Sequence, residues 1–404
     1  MKIKQLDVHV PGAVAGQLQR ESQYVFNYST TNRAHEVSLT MPIRARSYAG
    51  NPLMPVFAMN LPEGYLYDRI VRRMAKHEPI NEMRLLAITG QQQIGRLRFT
   101  QSGEPPAAER PRVGLDTLLR ETATQQLFEF LAETYFDAGI SGVQPKVMMP
   151  DADQFPADSG SRVTLVHSDL IVKSSGADYP ALTQNEYLCM DAARRAGILV
   201  PEFWLSDDGG LFVMRRFDLA PGRRGFEDMS VLMGKPRDPQ GNYKYTGSYE
   251  DVARTIGAYS GANTVANLHA FFEYLVLSVM VRNGDAHLKN FGLQYDHPNS
   301  PLCVLSPLYD VVTTTIYPYV NPQTQQHVVD RTMALKLFSG AGDRRFPTHA
   351  ELMRFGREVC HTRRPEVVIE RIAAAMGEAL RENRGRFTSA QAQLLETEWE
   401  SGRH

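Results

Sequence analysis

The chain has 404 residues, 43% hydrophobic and 22% charged, with a formal net charge of −1. That length fills two or three subdomains around a sizeable core, and the composition is that of a globular chain. Near-neutrality excludes a global field that would draw it to nucleic acid or an anionic membrane. Three scattered cysteines (Cys189, Cys303, Cys360) exclude a disulfide framework and point to a reducing cytoplasm.

In chain order, the first ten residues alternate like a strand and show no signal-peptide core. Residues 24–28 and 37–40 read as further short strands, and residues 65–75 as a helix behind Asn60-Leu-Pro-Glu-Gly64. Residues 1–100 therefore read as a small α+β unit with a supporting or interaction role. Residues 100–112 are rich in Pro, Gly and Glu and read as a linker. A single helix follows through Leu118, Leu119, Leu127, Phe130 and Leu131, ending near Asp137-Ala-Gly139.

The loop from Gly139 through Ser141, Gly142, Val143 and Gln144 to Lys146 leads into apolar Val147-Met-Met149. Such a loop either turns backbone N–H groups toward phosphate oxygens or is a plain turn. Residues 151–161 read as a polar turn, and residues 163–166 and 170–172 as strands, the second closed by Lys173. A lysine leaving a buried strand reaches the α- and β-phosphates in kinases; a snorkelling edge lysine is the alternative. Thr183-Gln-Asn-Glu186 opens a helix to about Ala196, with Gly197 behind it. Glu186 then either completes a capping box with Thr183 or pairs with Lys173. Residues 200–205 and 211–217 flank Asp207-Asp-Gly-Gly210, a hairpin signal, and residues 219–265 read as a long loop.

Leu268, Phe271, Phe272, Leu275, Val276, Val279 and Met280 recur at helical spacing, and Asn283-Gly284 breaks the helix. The longest apolar stretch, residues 271–281, holds Glu273 and is far short of a membrane span, so no membrane partner is expected. Asp285 and Asn290 follow, five positions apart. Protein kinases use that spacing for an acid that orients or deprotonates the attacking hydroxyl and an amide that binds metal on ATP. His287 and Lys289 between them either steady phosphate charge or hold the loop. Residues 291–295 and 302–305 read as two strands leading to a second acid, Asp310. A lone Asp after Asn-Gly is ordinarily a turn residue, but loop, hairpin and acid in this order match a kinase's catalytic and Mg²⁺-binding acids. Beyond Asp310 the chain reads as mainly helical, with Pro365 at a helix start.

Ser141-Gly-Val-Gln-Pro-Lys146, Leu170-Ile-Val-Lys173, Asn185-Glu186, Arg216-Phe217-Asp218, the 283–290 loop and Leu308-Tyr-Asp310 together resemble the HipA family, the serine/threonine-kinase toxins of bacterial toxin–antitoxin modules. They stand in the family's order over residues 139–312, and Asn60-Leu-Pro-Glu-Gly64 is similar to the family's small N-terminal subdomain. The resemblance implies an α+β, two-lobed kinase-like fold: a subdomain over 1–100, a mixed α/β N-lobe over 113–217 and an all-helical C-lobe over 218–404. It implies ATP and Mg²⁺, with the 141–146 loop and Lys173 on the phosphates and Glu186 paired to Lys173. Arg215 to Phe217 become the hinge whose backbone meets adenine. Asp285 becomes the catalytic acid, with Asn290 and Asp310 the Mg²⁺ ligands. It implies a protein substrate, aminoacyl-tRNA synthetases being among the family's. It also implies a HipB-like helix-turn-helix antitoxin through which alone DNA is reached. Two departures stand out. Asn283 occupies a place where many members carry His, and Gly139 one where some carry Ser, so that any autophosphorylation either moves to Ser141 or is lost. A small-molecule kinase of the aminoglycoside-phosphotransferase type shares the Asp-to-Asn loop and would turn over a soluble alcohol. An ATP-binding regulatory module would bind nucleotide without transfer.

Overall fold

The computed structural model describes residues 3–74, 80–101, 113–122, 124–137, 139–142, 144–152, 169–176, 178–219, 222–238, 240–321 and 323–403. The expected strand over 163–166, most of the 100–112 linker and Val143 lie outside them. Alternation builds the first sheet. β1 (Gln5–Val10) buries Leu6, Val8 and Val10 and turns Gln5, Asp7 and His9 outward. With β2 (Ala13–Arg20), β3 (Tyr24–Tyr28), β4 (Tyr48–Gly50) and β5 (Arg98–Thr100) it forms an antiparallel sheet in the order β4-β3-β2-β1-β5. Helices α1 (Pro55–Ala58), α2 (Gly64–Met74) and α3 (Glu82–Thr89) follow in this unit, with α3 packed on β1 and β5. Residues 37–40 make turns instead of the expected strand. Their polar groups are claimed by the buried Glu227, which accepts from Ser38 Oγ at 2.7 Å and Leu39 N at 2.8 Å.

The helix expected through residues 118–131 is two, α4 (Leu115–Arg120) and α5 (Thr124–Thr134), because Glu121 turns extended at ψ 134°. Next come β6 (Lys146–Met149), β7 (Leu170–Ser174), α6 (Leu182–Arg195), β8 (Phe203–Leu205) and β9 (Leu211–Arg215). The four strands form an antiparallel sheet in the order β6-β7-β9-β8, the last two joined at the expected 207–210 turn. β7 is central and buried over its whole length. Its Leu170 and Val172 pack with Leu118, Phe128 and Leu131 of α4 and α5. Its Ile171 belongs to another cluster, with Met190 of α6 and Phe212 of β9, which continues into Phe26, Phe57 and Phe99 of the first unit. The two sheets thus share one apolar core.

The stretch 219–265, expected to be a long loop, holds β10 (Gly225–Asp228), α7 (Met229–Leu232) and α8 (Tyr249–Tyr259), and α9 (Thr264–Met280) begins within it. Ser248 and Asp251 start α8 with a reciprocal capping box. β11 (Gly292–Tyr295) and β12 (Val304–Leu305) join β10 in an antiparallel sheet, β10-β11-β12. A hairpin of β13 (Tyr319–Val320) and β14 (His327–Val328) precedes α10 (His349–Glu358), α11 (Pro365–Asn383) and α12 (Ser389–Arg403). Residues 218–404 are therefore not all-helical, as the resemblance implied. Helix α9 is buried nearly all round at its C-terminal half, where Phe271, Phe272, Leu275 and Val276 meet Phe355, Ile372, Met376 and Trp399. Each such side chain contributes about 1.5–3 kcal/mol by leaving water. That makes α9 a stiff base for the loop that follows it. No helix among the described residues is long and apolar enough to cross a membrane.

Candidate active site

Alternation along β7 turns Lys173, like Ile171, toward α6. There its ammonium stands 2.5 Å from Glu186 Oε1 and also bonds Asp310 Oδ1. Lys173 and Glu186 are both fully inside the protein. Of the two roles open to Glu186, pairing with the lysine is the one formed. The capping box is absent: α6 begins at Leu182 behind Ala181 in the left-handed region, and Thr183 Oγ1 instead donates to Gly209 O at 2.7 Å. Lys146 is the cross-strand partner of Lys173, so it points to the same face and brings Nζ to 3.6 Å from Asp310 Oδ2. Gly142 lies beside it at φ +124°, a backbone conformation that strains any other residue, and its missing side chain leaves room for Lys146 Nζ.

Two buried ammoniums thus face one buried carboxylate, Glu186, and one part-exposed carboxylate, Asp310. Burial pushes the Asp310 carboxyl up, but Lys146 and Lys173 outweigh it and hold it far below the usual carboxylate range. Burial opposes the charge on Lys173 too, yet Asp310 and Glu186 hold its ammonium above the ordinary lysine value. For Lys146 burial wins and lowers it. Asp310 itself sits at φ +58°, a conformation that costs a non-glycine residue about 1–3 kcal/mol and needs surrounding bonds to persist. Asn185 supplies some of them: its side chain donates to Thr313 O and accepts from Thr313 N, both at 3.0 Å. The residue before Glu186 is thereby tied to the backbone just past Asp310.

Helix α9 stops at Met280 and the chain reverses at Arg282, φ +57°, one residue before the expected Asn-Gly break. Gly284 is needed for a different reason: a Cβ there would stand 2.6 Å from Thr332 O. Asn283 Oδ1 accepts from Asp285 N at 3.0 Å and sets the turn that presents Asp285 to solvent. Asp285 Oδ1 accepts from the Tyr245 hydroxyl at 2.7 Å. Asn290 is buried, with Oδ1 accepting from His287 N at 2.9 Å. Burial lowers His287 below the ordinary histidine value although Asp285 pulls it upward, and its ring meets Tyr245 edge-on at 5.2 Å. Lys289 donates to Met59 O at 2.7 Å and Asp228 Oδ2 at 3.1 Å. Of the two roles open to Lys289, holding the loop is the one these contacts perform. Tyr309 OH donates to Lys289 O at 2.7 Å and so ties the loop to the residue before Asp310.

At the expected hinge, the Arg215 guanidinium reaches Glu202, Asp151 and Asp169 at 2.9, 3.2 and 3.3 Å. The buried Arg216 pairs with Asp218, which also accepts from Gly95 N at 2.7 Å. Phe217 stacks on Tyr309 with centroids 5.3 Å apart, and its carbonyl accepts from Gln294 Nε2 at 3.0 Å. Ser141 is half-buried, and the buried Gln144 Nε2 and Glu186 Oε2 have no hydrogen-bond partner among the described residues. Such orphans call for an explanation, and a polar ligand is one.

Asp310 and Asn290 offer a carboxylate and an amide oxygen, the donor types a Mg²⁺ ion accepts. Among the described residues no cluster of three or more His, Cys, Asp and Glu side chains could hold a metal. An ion here would rest on two side chains and complete its shell with phosphate oxygens and water, which is how Mg²⁺ binds with nucleotides. Sequence reasoning missed Tyr245, the clasp of Asn185 on Thr313 and the Met59–Lys289–Asp228 tie. None follows from spacing, since each partner lies 40 or more residues away.

A family profile described as the HipA-like C-terminal domain matches residues 138–380, and one described as the HipA N-terminal domain matches residues 6–100. Two Sinorhizobium fredii proteins named as kinases, Y4dM and Y4mE, are 27% and 26% identical over 351 and 356 residues, covering 78% and 82% of both chains. A Haemophilus influenzae protein named as a kinase is 30% identical over 199 residues, 46% of this chain and 55% of that protein. Among solved structures, Shewanella oneidensis HipA, determined with HipB and its operator DNA, superposes with a TM-score of 0.68 at 17% identity. The match covers 98% of this chain and 96% of that one, and shows a shared fold.

Proposed function

The chain belongs to the HipA family, and from that premise we propose that it is an ATP-dependent serine/threonine-protein kinase, the cytoplasmic toxin of a toxin–antitoxin module. The observation that carries the reading is Lys173 held between Glu186 and Asp310, with the Asp285–Asn290 loop tied alongside through Tyr309. Phosphoryl transfer asks a protein mainly for positioning and charge neutralisation. Lys173, kept charged and aimed by Glu186, meets the α- and β-phosphates, and the backbone of the 139–146 loop cradles them. The backbone of Arg215 to Phe217 meets adenine, its last carbonyl set by Gln294. Asn290 and Asp310 hold Mg²⁺, which supplies charge neutralisation at the phosphate oxygens. Asp285, exposed at the loop's tip, orients the acceptor hydroxyl and takes its proton. Buried His287 and Lys289 keep the loop in place.

The acceptor in this reading is a hydroxyl on a cellular protein, an aminoacyl-tRNA synthetase being the family's precedent, with Ser141 as a second acceptor on the chain itself. A phosphate at Ser141 would add about −1.5 to −2 charges beside the phosphate loop, and mass spectrometry of the active protein reads it directly. The partner is a HipB-like helix-turn-helix antitoxin through which DNA is reached, as the family resemblance implies; a net charge of −1 gives the chain no global field of its own for DNA. The fold shared with a HipA determined with HipB and operator DNA supports that partner. The test is labelling of cell extract with γ-phosphate-tagged ATP and identification of the protein that gains phosphate. Asp285→Asn is expected to cut the labelling on the order of 10²–10⁴-fold while ATP binding persists. Undiminished labelling by that variant would sink the assignment.

A further inference from the structure

Asp285 is not waiting empty-handed. The Tyr245 hydroxyl, 2.7 Å from Asp285 Oδ1, makes the bond that an acceptor hydroxyl has to make with a catalytic carboxylate. Burial raises Tyr245 above the ordinary tyrosine value, and Asp285 adds to it, so the hydroxyl stays a donor across the physiological range. Tyr245 does not come from the catalytic loop. It ends the short turn Asn242–Tyr245, which follows Gly241 at φ +75°. Asp238 shapes that turn by accepting from Asn242 N at 3.1 Å and Tyr243 N at 2.6 Å.

The turn is held from the first unit. Glu63, in Asn60-Leu-Pro-Glu-Gly64, accepts from Tyr243 OH at 3.3 Å and Lys244 Nζ at 3.4 Å and lies 3.8 Å from Arg237 Nε. Arg237 also donates to Pro62 O at 3.0 Å. Burial pushes the Glu63 carboxyl up, but Lys289, Lys244 and Arg237 hold it below the ordinary value, so the clasp is charged. A second oxygen cannot occupy the same approach to Asp285 Oδ1 while the tyrosine oxygen is there.

We propose that Tyr245 is an internal stand-in for the acceptor: its hydroxyl holds Asp285 until it is displaced, and Glu63 sets how firmly the turn keeps it there. The first unit then governs access to the base through Arg237 and the turn Asn242–Tyr245, without touching Asp285 itself. The inference rests on the kinase reading of the same site and goes beyond it by naming what competes with the substrate. A bond to a charged group of this kind corresponds to roughly a tenfold or larger preference when fully formed, and less where water competes.

The test uses the full chain, Mg²⁺ and ATP, with water as the acceptor and ADP release as the readout. Water's oxygen forms the bond to the γ-phosphorus, the bond to the β,γ-bridging oxygen breaks, and ADP leaves with that electron pair. Asp285 takes water's proton and returns it to solvent. Tyr245→Phe keeps the ring against His287 and removes the hydroxyl. ADP release is expected to rise about 3- to 10-fold in that variant, with ATP affinity by calorimetry unchanged. Glu63→Gln, which weakens the clasp and keeps the hydroxyl, is expected to raise it by a smaller factor. A rate in Tyr245→Phe equal to or below that of the unaltered protein overturns the proposal, the lower rate marking Tyr245 as a support for Asp285. Asp285→Asn separates the two readings: if it releases ADP as fast as the unaltered protein, the kinase reading itself falls.

Discussion

Asp310 and Asp285 are both carboxylates of one site, and the fold treats them in opposite ways. Asp310 lies among buried groups, bonded by Lys173 and approached by Lys146, in a backbone conformation stabilised from outside by Asn185. Asp285 stands on an exposed tip, met by a neutral hydroxyl. Taking charges out of water is expensive, so the buried Lys173, Lys146 and Glu186 beside Asp310 have to arrive with their counter-charges built in. The exposed side keeps its charge in contact with water, and there a single neutral donor suffices. The half around Asp310 therefore carries stability along with its chemistry, whereas the half around Asp285 carries chemistry with little stability.

Substitutions can break that comparison or sharpen it. The largest effect expected is on activity, from Asp285→Asn: a loss on the order of 10²–10⁴-fold, with unfolding free energy within about 0.5 kcal/mol of the unaltered protein. Lys173→Met should do both kinds of damage. It strands Glu186 and half of Asp310, and breaking a buried pair costs about 3–5 kcal/mol, towards the lower end here because Lys146 remains 3.6 Å from Asp310. Urea unfolding measures the first effect and calorimetric titration with Mg²⁺ and ATP the second. A Lys173→Met protein as stable as the parent would show that the two halves are not built differently.

Asn185→Ala comes next. It leaves a buried N–H and a buried C=O at Thr313 unsatisfied, for about 1–3 kcal/mol. Because Thr313 follows Asp310 by three residues, weaker nucleotide binding should accompany the lost stability. Unchanged binding would make Asn185 a brace for the fold alone. The smallest effect belongs to a part-exposed carboxylate outside the site. Arg345 and Thr348 hold Glu351 down to about 2, below the ordinary 4.5. A depressed carboxyl contributes stability above its unfolded value and loses it as pH falls through the folded one. The melting difference between the parent and Glu351→Gln should therefore shrink as pH drops from about 5 toward about 3. Discounted for exposure, it amounts to a few tenths of a kcal/mol, which is the scale of exposed pairs.

Much of this molecule is legible along the chain because its signals are local. The apolar spacing of α9, the hairpin at 207–210, the buried run of β7 with Lys173 at its end, and the order Asp285, Asn290, Asp310 all lie within short windows. Periodicity says which face is buried, and the turn residues say where the chain reverses. The tertiary structure decided the rest. Thr183-Gln-Asn-Glu186 satisfies the pattern of a capping box, yet a buried ammonium on the facing strand outbids the helix N-terminus for Glu186. β10 lies in a stretch that reads as loop, because Gly-Phe-Glu-Asp has no alternation and is buried on every residue. Its Glu227 is tolerable inside only because Ser38, Leu39 and Tyr295 donate to it from other parts of the chain. Tyr245 on Asp285 and Lys289 on Met59 are of the same kind. A buried or base-bound polar group is defined by the partners that satisfy it, and partners 40 to 230 residues distant meet only when the chain has folded.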